Sequence, residues 1–174
     1  MDISDTIFAL ATPYGSSALA IVRISGPLCE KIAQEACSIP LPCSKVATLR
    51  NYRSLKRDCI DQVVATYFRK GHSYTGDATL ELCTHGNPLI VELIFQDLIE
   101  RGCRAAEPGE FTRNAFLNGR IDLTQAEAIA TMISASSKAE LKVANNNLKG
   151  RLRETLITIP VSYTHLTLPT ILLV

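Results

Sequence analysis

The chain has 174 residues, of which 47% are hydrophobic and 20% are charged, and its formal net charge is +1. This apolar content is typical of a folded globular protein and excludes intrinsic disorder. With so balanced a charge, no global field would attract nucleic acid or an anionic lipid surface. No apolar run approaches the roughly 20 residues that a membrane-spanning helix needs, so no membrane association is expected.

The N-terminus and the cysteines indicate an intracellular protein. Residues 1–5 are acidic where a secretory signal peptide would be basic, so a cytoplasmic location is expected. The six cysteines include no C-x-x-C pair and have no histidine at zinc-site spacing. We therefore expect reduced, mostly buried thiols and no metal site.

Predicted strands and helices alternate over the first two-thirds of the chain. The first helix is predicted to open at Pro27, and the second at Pro88, with Asn87 as its N-cap and Gly102 as its stop. The predicted strands cover residues 6–12, 18–25, 46–52, 62–68, 79–83 and 103–106. This order predicts an α/β fold class for the region.

From Glu110 onward the pattern is helical. A short helix over residues 110–118 is followed by a second that Asp122 can cap, with Gln125 completing a capping box. A third helix begins near Ser136 and carries basic side chains on its outer faces: Lys138, Lys142, Lys149, Arg151 and Arg153. An RNA-binding face and a solvated helix surface both fit these charges, and the absence of interleaved aromatic residues favours the solvated surface.

The helical periodicity stops at Ile157, and the following residues contain two prolines and no charged side chain. Residues 161–170 (VSYTHLTLPT) look like one reading frame of a transposon-end adapter used in sequencing libraries. We therefore expect residues 161–174 to be a cloning or assembly artefact, and His165 carries no functional argument. A re-sequenced clone that reads through codon 157 with the same tail would contradict this interpretation.

Three charged side chains occupy positions that point to a ligand. Arg23 lies within an apolar predicted strand, where an unpaired charge is costly. Glu81 lies just before a turn, where its carboxylate can accept two parallel hydrogen bonds from a heterocycle. Arg120 lies at a junction between predicted helices, where its guanidinium can reach a ligand carboxylate. The alternative is that Arg23 and Glu81 simply pair with each other in the core.

Three segments resemble the N-terminal region of the MnmE (TrmE) tRNA-modification GTPases. They are residues 6–26 (TIFALATPYGSSALAIVRISG), 73–88 (SYTGDATLELCTHGNP) and 107–130 (EPGEFTRNAFLNGRIDLTQAEAIA). The resemblance covers residues 5–156 and is most specific in the third segment. The chain departs from the family pattern at Asn87, where a second glycine is usual, and at Asp77-Ala78, which replace a Glu-Asp pair.

The resemblance implies a fold and a ligand. Residues 1–119 would form a small mixed-sheet domain, similar to the folate-binding domain of aminomethyltransferases, that also dimerises. Residues 120–157 would begin a helical domain. The implied ligand is a tetrahydrofolate derivative, either 5-formyltetrahydrofolate or 5,10-methylenetetrahydrofolate. By motif position the folate contacts fall on Arg23, Glu81 and Arg120, with Tyr74, His85, Asn114 and Asn118 as further pocket-lining positions.

The resemblance also implies an activity and partners. With the flavin-dependent protein MnmG (GidA), in a heterotetramer, the family installs an aminomethyl or carboxymethylaminomethyl group at C5 of the wobble uridine (U34) of certain tRNAs. A Ras-like domain that uses GTP, Mg and K interrupts its helical domain.

This chain contains no G-x-x-x-x-G-K-[ST] motif, and the family's C-terminal cysteine motif is missing too. We therefore expect an N-terminal fragment that cannot itself hydrolyse GTP and has no catalytic residue of its own. Two alternatives are a stand-alone folate-dependent one-carbon transferase and a purely structural dimerisation module.

Overall fold

The computed structural model describes residues 5–40 and 44–149, which group into two compact units that divide between Asp122 and Leu123. The strands of the first unit are β1 (Ile7–Leu10), β2 (Ser17–Ser25), β3 (Ala47–Arg53), β4 (Cys59–Phe68), β5 (Thr79–Gly86) and β6 (Arg104–Ala105). Its helices are α1 (Cys29–Cys37), α2 (Pro88–Glu100) and α3 (Glu110–Leu117). The second unit contains α4 (Leu123–Ser134) and α5 (Lys138–Leu148).

The six strands form one sheet in the order β3-β4-β5-β2-β1-β6. Four neighbouring pairs are antiparallel, and only β1 and β6 run parallel. The first unit is therefore an α+β domain with a mixed sheet, as the family resemblance implies, whereas the order of elements alone predicts the α/β class.

One face of this sheet is covered by α1 and α2 and holds the core. Alternate residues of β2, β4 and β5 point toward these helices, as the period-two geometry of a strand requires. The core combines strand and helix side chains, among them Val22, Ile24, Val63, Leu80, Leu82, Ile32, Ala36, Ile94 and Leu98.

The opposite face, which we call the open face, becomes more exposed along its length. At one end Ser25 and Thr79 are buried. The next pair, Arg23 and Glu81, is about one-third exposed, and at the other end the side chain of His85 is 67% exposed. Further residues of this face include Leu19, Ile21, Leu49, Val64 and Cys83.

The start of α2 follows the prediction. Asn87 is its N-cap, its side-chain oxygen accepting a hydrogen bond from the Leu89 N–H at 3.0 Å, and Pro88 is the first helical residue. By contrast, α1 begins only at Cys29, because Pro27 and Leu28 form the preceding turn.

Strand β5 extends to Gly86, three residues beyond its predicted end. A turn was predicted there, but residues 84–86 continue the ladder with β2. The residues His-Gly-Asn-Pro favour a turn, but hydrogen bonding to β2 keeps His85 and Gly86 in the strand.

In the second unit, α5 begins after Ser137, close to its predicted start at Ser136. Ser137 and Glu140 form a reciprocal capping box that the sequence analysis did not single out. Helix α4 begins directly after Asp122, its predicted cap, while the Gln125 side chain donates a hydrogen bond to the Leu148 carbonyl at 2.9 Å.

The cysteines within the described residues are free thiols: Cys29, Cys37, Cys59, Cys83 and Cys103. Burial raises the pKa of Cys37 to about 12 and that of Cys103 to about 11. Within residues 5–40 and 44–149, no cluster of His, Cys, Asp and Glu could hold a metal ion.

In that same part of the chain, none of the helices combines the length and apolarity that crossing a bilayer would require. The predictions about Arg151, Arg153, His165 and the tail from residue 161 lie outside the described residues.

Candidate functional site

Arg23 and Glu81 stand opposite each other on the antiparallel strands β2 and β5. The Arg23 Nε and Nη2 atoms both lie 2.8 Å from Glu81 Oε1. The side chains are 30% and 32% exposed, so the pair forms on the open face rather than in the core. Within the described residues no hydrogen bond ends on Oε2, which leaves one carboxylate oxygen for another donor.

Two aromatic rings flank the Arg23 guanidinium. The ring centroids of Tyr74 and Phe111 each lie 5.9 Å from its central carbon, a cation–π distance. The Tyr74 hydroxyl lies 3.0 Å from Thr112 Oγ1, which links the loop carrying Tyr74 to α3. Tyr74 was predicted as a pocket residue. Phe111 was missed, although it is the aromatic residue within the EPGEFTR motif.

Asn118 and Arg120 lie against the loop of residues 73–79. The Asn118 side-chain amide donates to the Thr75 carbonyl at 2.8 Å and to Asp77 Oδ2 at 2.9 Å. Gly76 has φ of +87°, and a Cβ there would lie 2.9 Å from Asn118 Cβ and 3.2 Å from Arg120 Cγ. Loop 73–79 therefore joins Arg120 and Asn118 to the side chains around Arg23.

An ion-pair network fixes the N-terminus of α3, which places Phe111. Arg104 binds Glu110 through two bonds, Nη1 to Oε2 at 2.9 Å and Nη2 to Oε1 at 2.6 Å, and its Nε donates to Asp5. Hydrogen bonds from Arg104 lower the pKa of the Glu110 carboxyl, and the same contacts raise the pKa of Arg104. Glu110 stays ionised although its side chain is only 6% exposed.

His85 is held apart from these residues. Its Nδ1 lies 2.7 Å from Oδ1 of the buried Asp61, and its backbone N–H donates to Oδ2 of the same carboxylate. His85 follows Glu81 by four residues on β5, about 13 Å along the strand. Asn114 is half-buried on α3, where its carbonyl accepts the Asn118 N–H at 2.9 Å.

A cavity of about 570 Å³ lies elsewhere, between the β3–β4 turn and the C-terminal ends of α1 and α2. Its buried Arg101 already donates to Asp97, Glu35 and the Arg53 carbonyl. Since Asp97 also accepts from Tyr52 and the Leu55 N–H, these contacts form a structural clamp that holds the turn.

We define the Arg23 cluster as Arg23, Tyr74, Glu81, Phe111, Asn118 and Arg120. Arg23, Glu81, Tyr74 and Phe111 bring together one guanidinium group, a carboxylate and two aromatic rings, and Asn118 and Arg120 adjoin them beside Gly76. Such a set suits binding of a flat heterocycle that offers adjacent N–H donors and carries an anionic tail.

The comparisons with known proteins point to a single family. The model of the family described as "GTP-binding protein TrmE N-terminus" matches residues 6–120. Over 151 residues the chain is 49% identical to the tRNA modification GTPase MnmE of Opitutus terrae, covering 86% of this chain and 33% of that protein.

Two further relatives carry the same name. The protein of Nitrosococcus oceani is 40% identical over 165 residues, covering 94% of this chain and 36% of its own length. That of Paracoccus denitrificans is 44% identical over 148 residues, covering 85% and 35%. The chain thus spans about one third of the length of the curated relatives it matches.

Proposed function

Because the chain belongs to the TrmE N-terminus family, we propose that it binds a one-carbon tetrahydrofolate at the Arg23 cluster. The observation that supports this most directly is the Arg23–Glu81 pair, which is about one-third exposed and whose guanidinium is flanked by two aromatic rings. The ligand would be 5-formyltetrahydrofolate or 5,10-methylenetetrahydrofolate.

Each side chain of the cluster has a complementary group on such a ligand. The Glu81 carboxylate can accept hydrogen bonds from the pterin amino group and N3–H, one of them at Oε2, while Arg23 donates to the pterin carbonyl. Tyr74 and Phe111 border the position of the ring, and Arg120 can pair with the anionic glutamate tail. Arg23 would keep its contact with Oε1 or exchange it for the ligand.

For the whole protein we propose tRNA modification in the cytoplasm. Its relatives are named tRNA modification GTPases, and the folate would supply the one-carbon unit added at C5 of U34 in concert with MnmG. This sequence contains no phosphate-binding G-x-x-x-x-G-K-[ST] loop. GTP, Mg and K would therefore be used by a separate GTPase domain of the whole protein.

We also propose that the open face pairs with a second copy of the chain. Leu49, Val64, Cys83 and Ile21 follow one another across four neighbouring strands. Leu49 is 61% exposed, Val64 40%, and the nearby Leu19 60%. Contiguous exposed apolar side chains of this kind mark interaction surfaces.

Calorimetric titration with 5-formyltetrahydrofolate tests the folate site. We expect Glu81→Gln to weaken binding by at least about tenfold, because it removes the charge that accepts from the pterin. Glu92→Gln, on the exposed side of α2, is the matched control and should leave the affinity unchanged. Equal affinities for parent and Glu81→Gln would reject the assignment of the site, and a parent that binds no folate would reject the function.

A further inference from the structure

We propose that Thr75 is a positioning residue for the Arg23 cluster, which makes the inference dependent on the proposed function. Its buried hydroxyl holds loop 73–79 on the sheet, so that Tyr74 flanks Arg23 and Gly76 abuts Asn118 and Arg120.

Strand register places the Ser25–Thr79 pair next to the ion pair. Ser25 pairs with Thr79 directly beside the Arg23–Glu81 pair on the same two strands. The two pairs are two residues apart, so they lie about 7 Å from each other on the same face. A group seated on the Ser25–Thr79 pair is therefore adjacent to the ion pair.

Thr75 is the group seated there. Its Oγ1 lies 2.7 Å from Ser25 Oγ and 3.4 Å from the hydroxyls of Thr79 and Ser73. Thr79 also donates toward Ser25 at 3.3 Å. All four residues are at most 5% exposed, and Thr75 is fully buried. Because each hydroxyl can both donate and accept, the four hydroxyls and the Asp77 carbonyl, to which Ser73 Oγ donates, can satisfy one another without water.

The backbone of the loop depends on the same hydroxyls. The Asp77 N–H donates to Thr75 Oγ1 at 3.3 Å, and the Gly76 N–H donates to Ser73 Oγ at 3.0 Å. From the other side, the Asn118 amide donates to the Thr75 carbonyl. Thr75 is thus fixed through its side chain to the sheet and through its carbonyl to the residue that follows α3.

The consequence is a preorganised site. Tyr74 precedes this anchored residue and is 37% exposed, so its position beside Arg23 follows from the placement of Thr75. A loop that is already ordered spares the ligand the entropy cost of ordering it on binding. Losing the hydroxyl would also leave Ser25 with a poorer partner in a buried place.

Three variants of the full chain separate positioning from general stability. Thr75→Val removes the hydroxyl at nearly constant side-chain shape, whereas Thr75→Ser keeps the hydroxyl and removes only the methyl group. Thr84→Val is the matched control, since Thr84, on β5, is as buried as Thr75 and its hydroxyl bonds, within the described residues, only to the backbone carbonyls of Ala20 and His85. With 5-formyltetrahydrofolate as probe, we expect Thr75→Val to bind about tenfold more weakly. Thr75→Ser and Thr84→Val should stay within about threefold of the parent.

Hydrogen exchange of the peptide spanning residues 69–79 gives a readout that needs no ligand. We expect faster exchange in Thr75→Val and unchanged exchange in Thr84→Val. Parent-like affinity or parent-like exchange in Thr75→Val would overturn the inference, as would equal weakening by Thr84→Val or failure of Thr75→Ser to restore binding. If the parent itself binds no folate, the proposed function is rejected, and exchange alone decides whether Thr75 holds the loop.

Discussion

At the scale of single residues, the site depends on charges that are compensated before any ligand arrives. Arg23 and Glu81 neutralise each other across one strand pair, which removes the cost of leaving either charge unpaired at a half-buried position. Both Arg23 bonds use one carboxylate oxygen, so the pairing still leaves an acceptor. A folate would therefore meet a site whose polar groups are already oriented.

Gly76 gives a prediction at this scale, because the space that a Cβ on Gly76 would occupy lies against Asn118 and Arg120. Gly76→Ala would bring a methyl group to 2.9 Å from Asn118 Cβ at a φ of +87°, whereas Gly71, in the same connection between β4 and β5, has φ of +81° and open space around it. Both alanines cost about 1–2 kcal/mol for the left-handed backbone. The clash should lower the free energy of unfolding of Gly76→Ala by about 1 kcal/mol more than that of Gly71→Ala. Urea denaturation measures both, and equal losses would contradict the close approach.

At the scale of elements, helix α3 is placed by its first turn. Arg104 on β6 donates two hydrogen bonds to the Glu110 carboxylate, which also accepts the Glu107 N–H at 2.8 Å. This contact ties the helix to the edge of the sheet opposite β3. Phe111 and Thr112, which face Arg23 and Tyr74, follow directly in the chain.

We expect Glu110→Gln to lower the free energy of unfolding by about 1–2 kcal/mol at neutral pH. The pKa of Glu110 is lowered in the folded chain, so the carboxylate stabilises the fold above its ordinary value of about 4.3. This stabilisation is lost as the pH falls through the lowered folded value. The difference between parent and Glu110→Gln in urea midpoint should therefore shrink as the pH falls below about 4.3.

The matched control for this variant is Glu107→Gln, because Glu107 is exposed and meets Glu110 only through backbone atoms: its N–H donates to the Glu110 carboxylate, and its carbonyl accepts the Glu110 N–H. Its urea midpoint should follow the parent across the whole pH range. A Glu110→Gln deficit that persists undiminished in acid would show that the ion pair is not its cause.

At the scale of the whole first unit, the sheet has one face for the core and one that is only partly covered. The helices α1 and α2 fill the first, while the open face is buried at the Ser25–Thr79 end and exposed at the Leu19–His85 end. The proposed ligand and the proposed second copy would thus use different ends of one surface.

Self-association can be tested with two leucines of equal exposure. Leu49 on the open face is 61% exposed, and Leu89 on α2 is 60% exposed. If a second copy packs on the open face, Leu49→Lys should shift sedimentation toward the monomer, because a buried lysine would be unpaired there. Leu89→Lys should sediment like the parent. A parent chain that is monomeric at every concentration would reject the pairing.

Sequence alone accounts for much of this arrangement. Apolar runs rich in strand-forming residues, with alternation in residues 79–83, predicted strands, and Asn87-Pro88 predicted the start of α2, because these signals are local. The ion pair of Arg23 with Glu81 was an open alternative, since the two residues are 58 positions apart and no local pattern fixes the register of their strands.

The residues that sequence reasoning missed owe their roles to tertiary contacts. Thr75 looks like a turn residue until Ser25 is placed beneath it, and Phe111 looks like an ordinary helix residue until Arg23 lies opposite its ring. Asp97 is similar: nothing in its local pattern of α2 shows that it is buried and accepts from Tyr52 and Arg101.

Because several thiols are buried and react slowly, chemical labelling of the more accessible cysteines can report on the open face. Burial raises the pKa of Cys37 and Cys103 far above neutrality, so at neutral pH they remain protonated and slow to alkylate. Among the described cysteines, Cys83 lies between Val64 and Ile21 on the open face, where a fluorescent maleimide would sense whatever covers it. Cys59, exposed at the start of β4, would give a reference signal from the far end of the sheet.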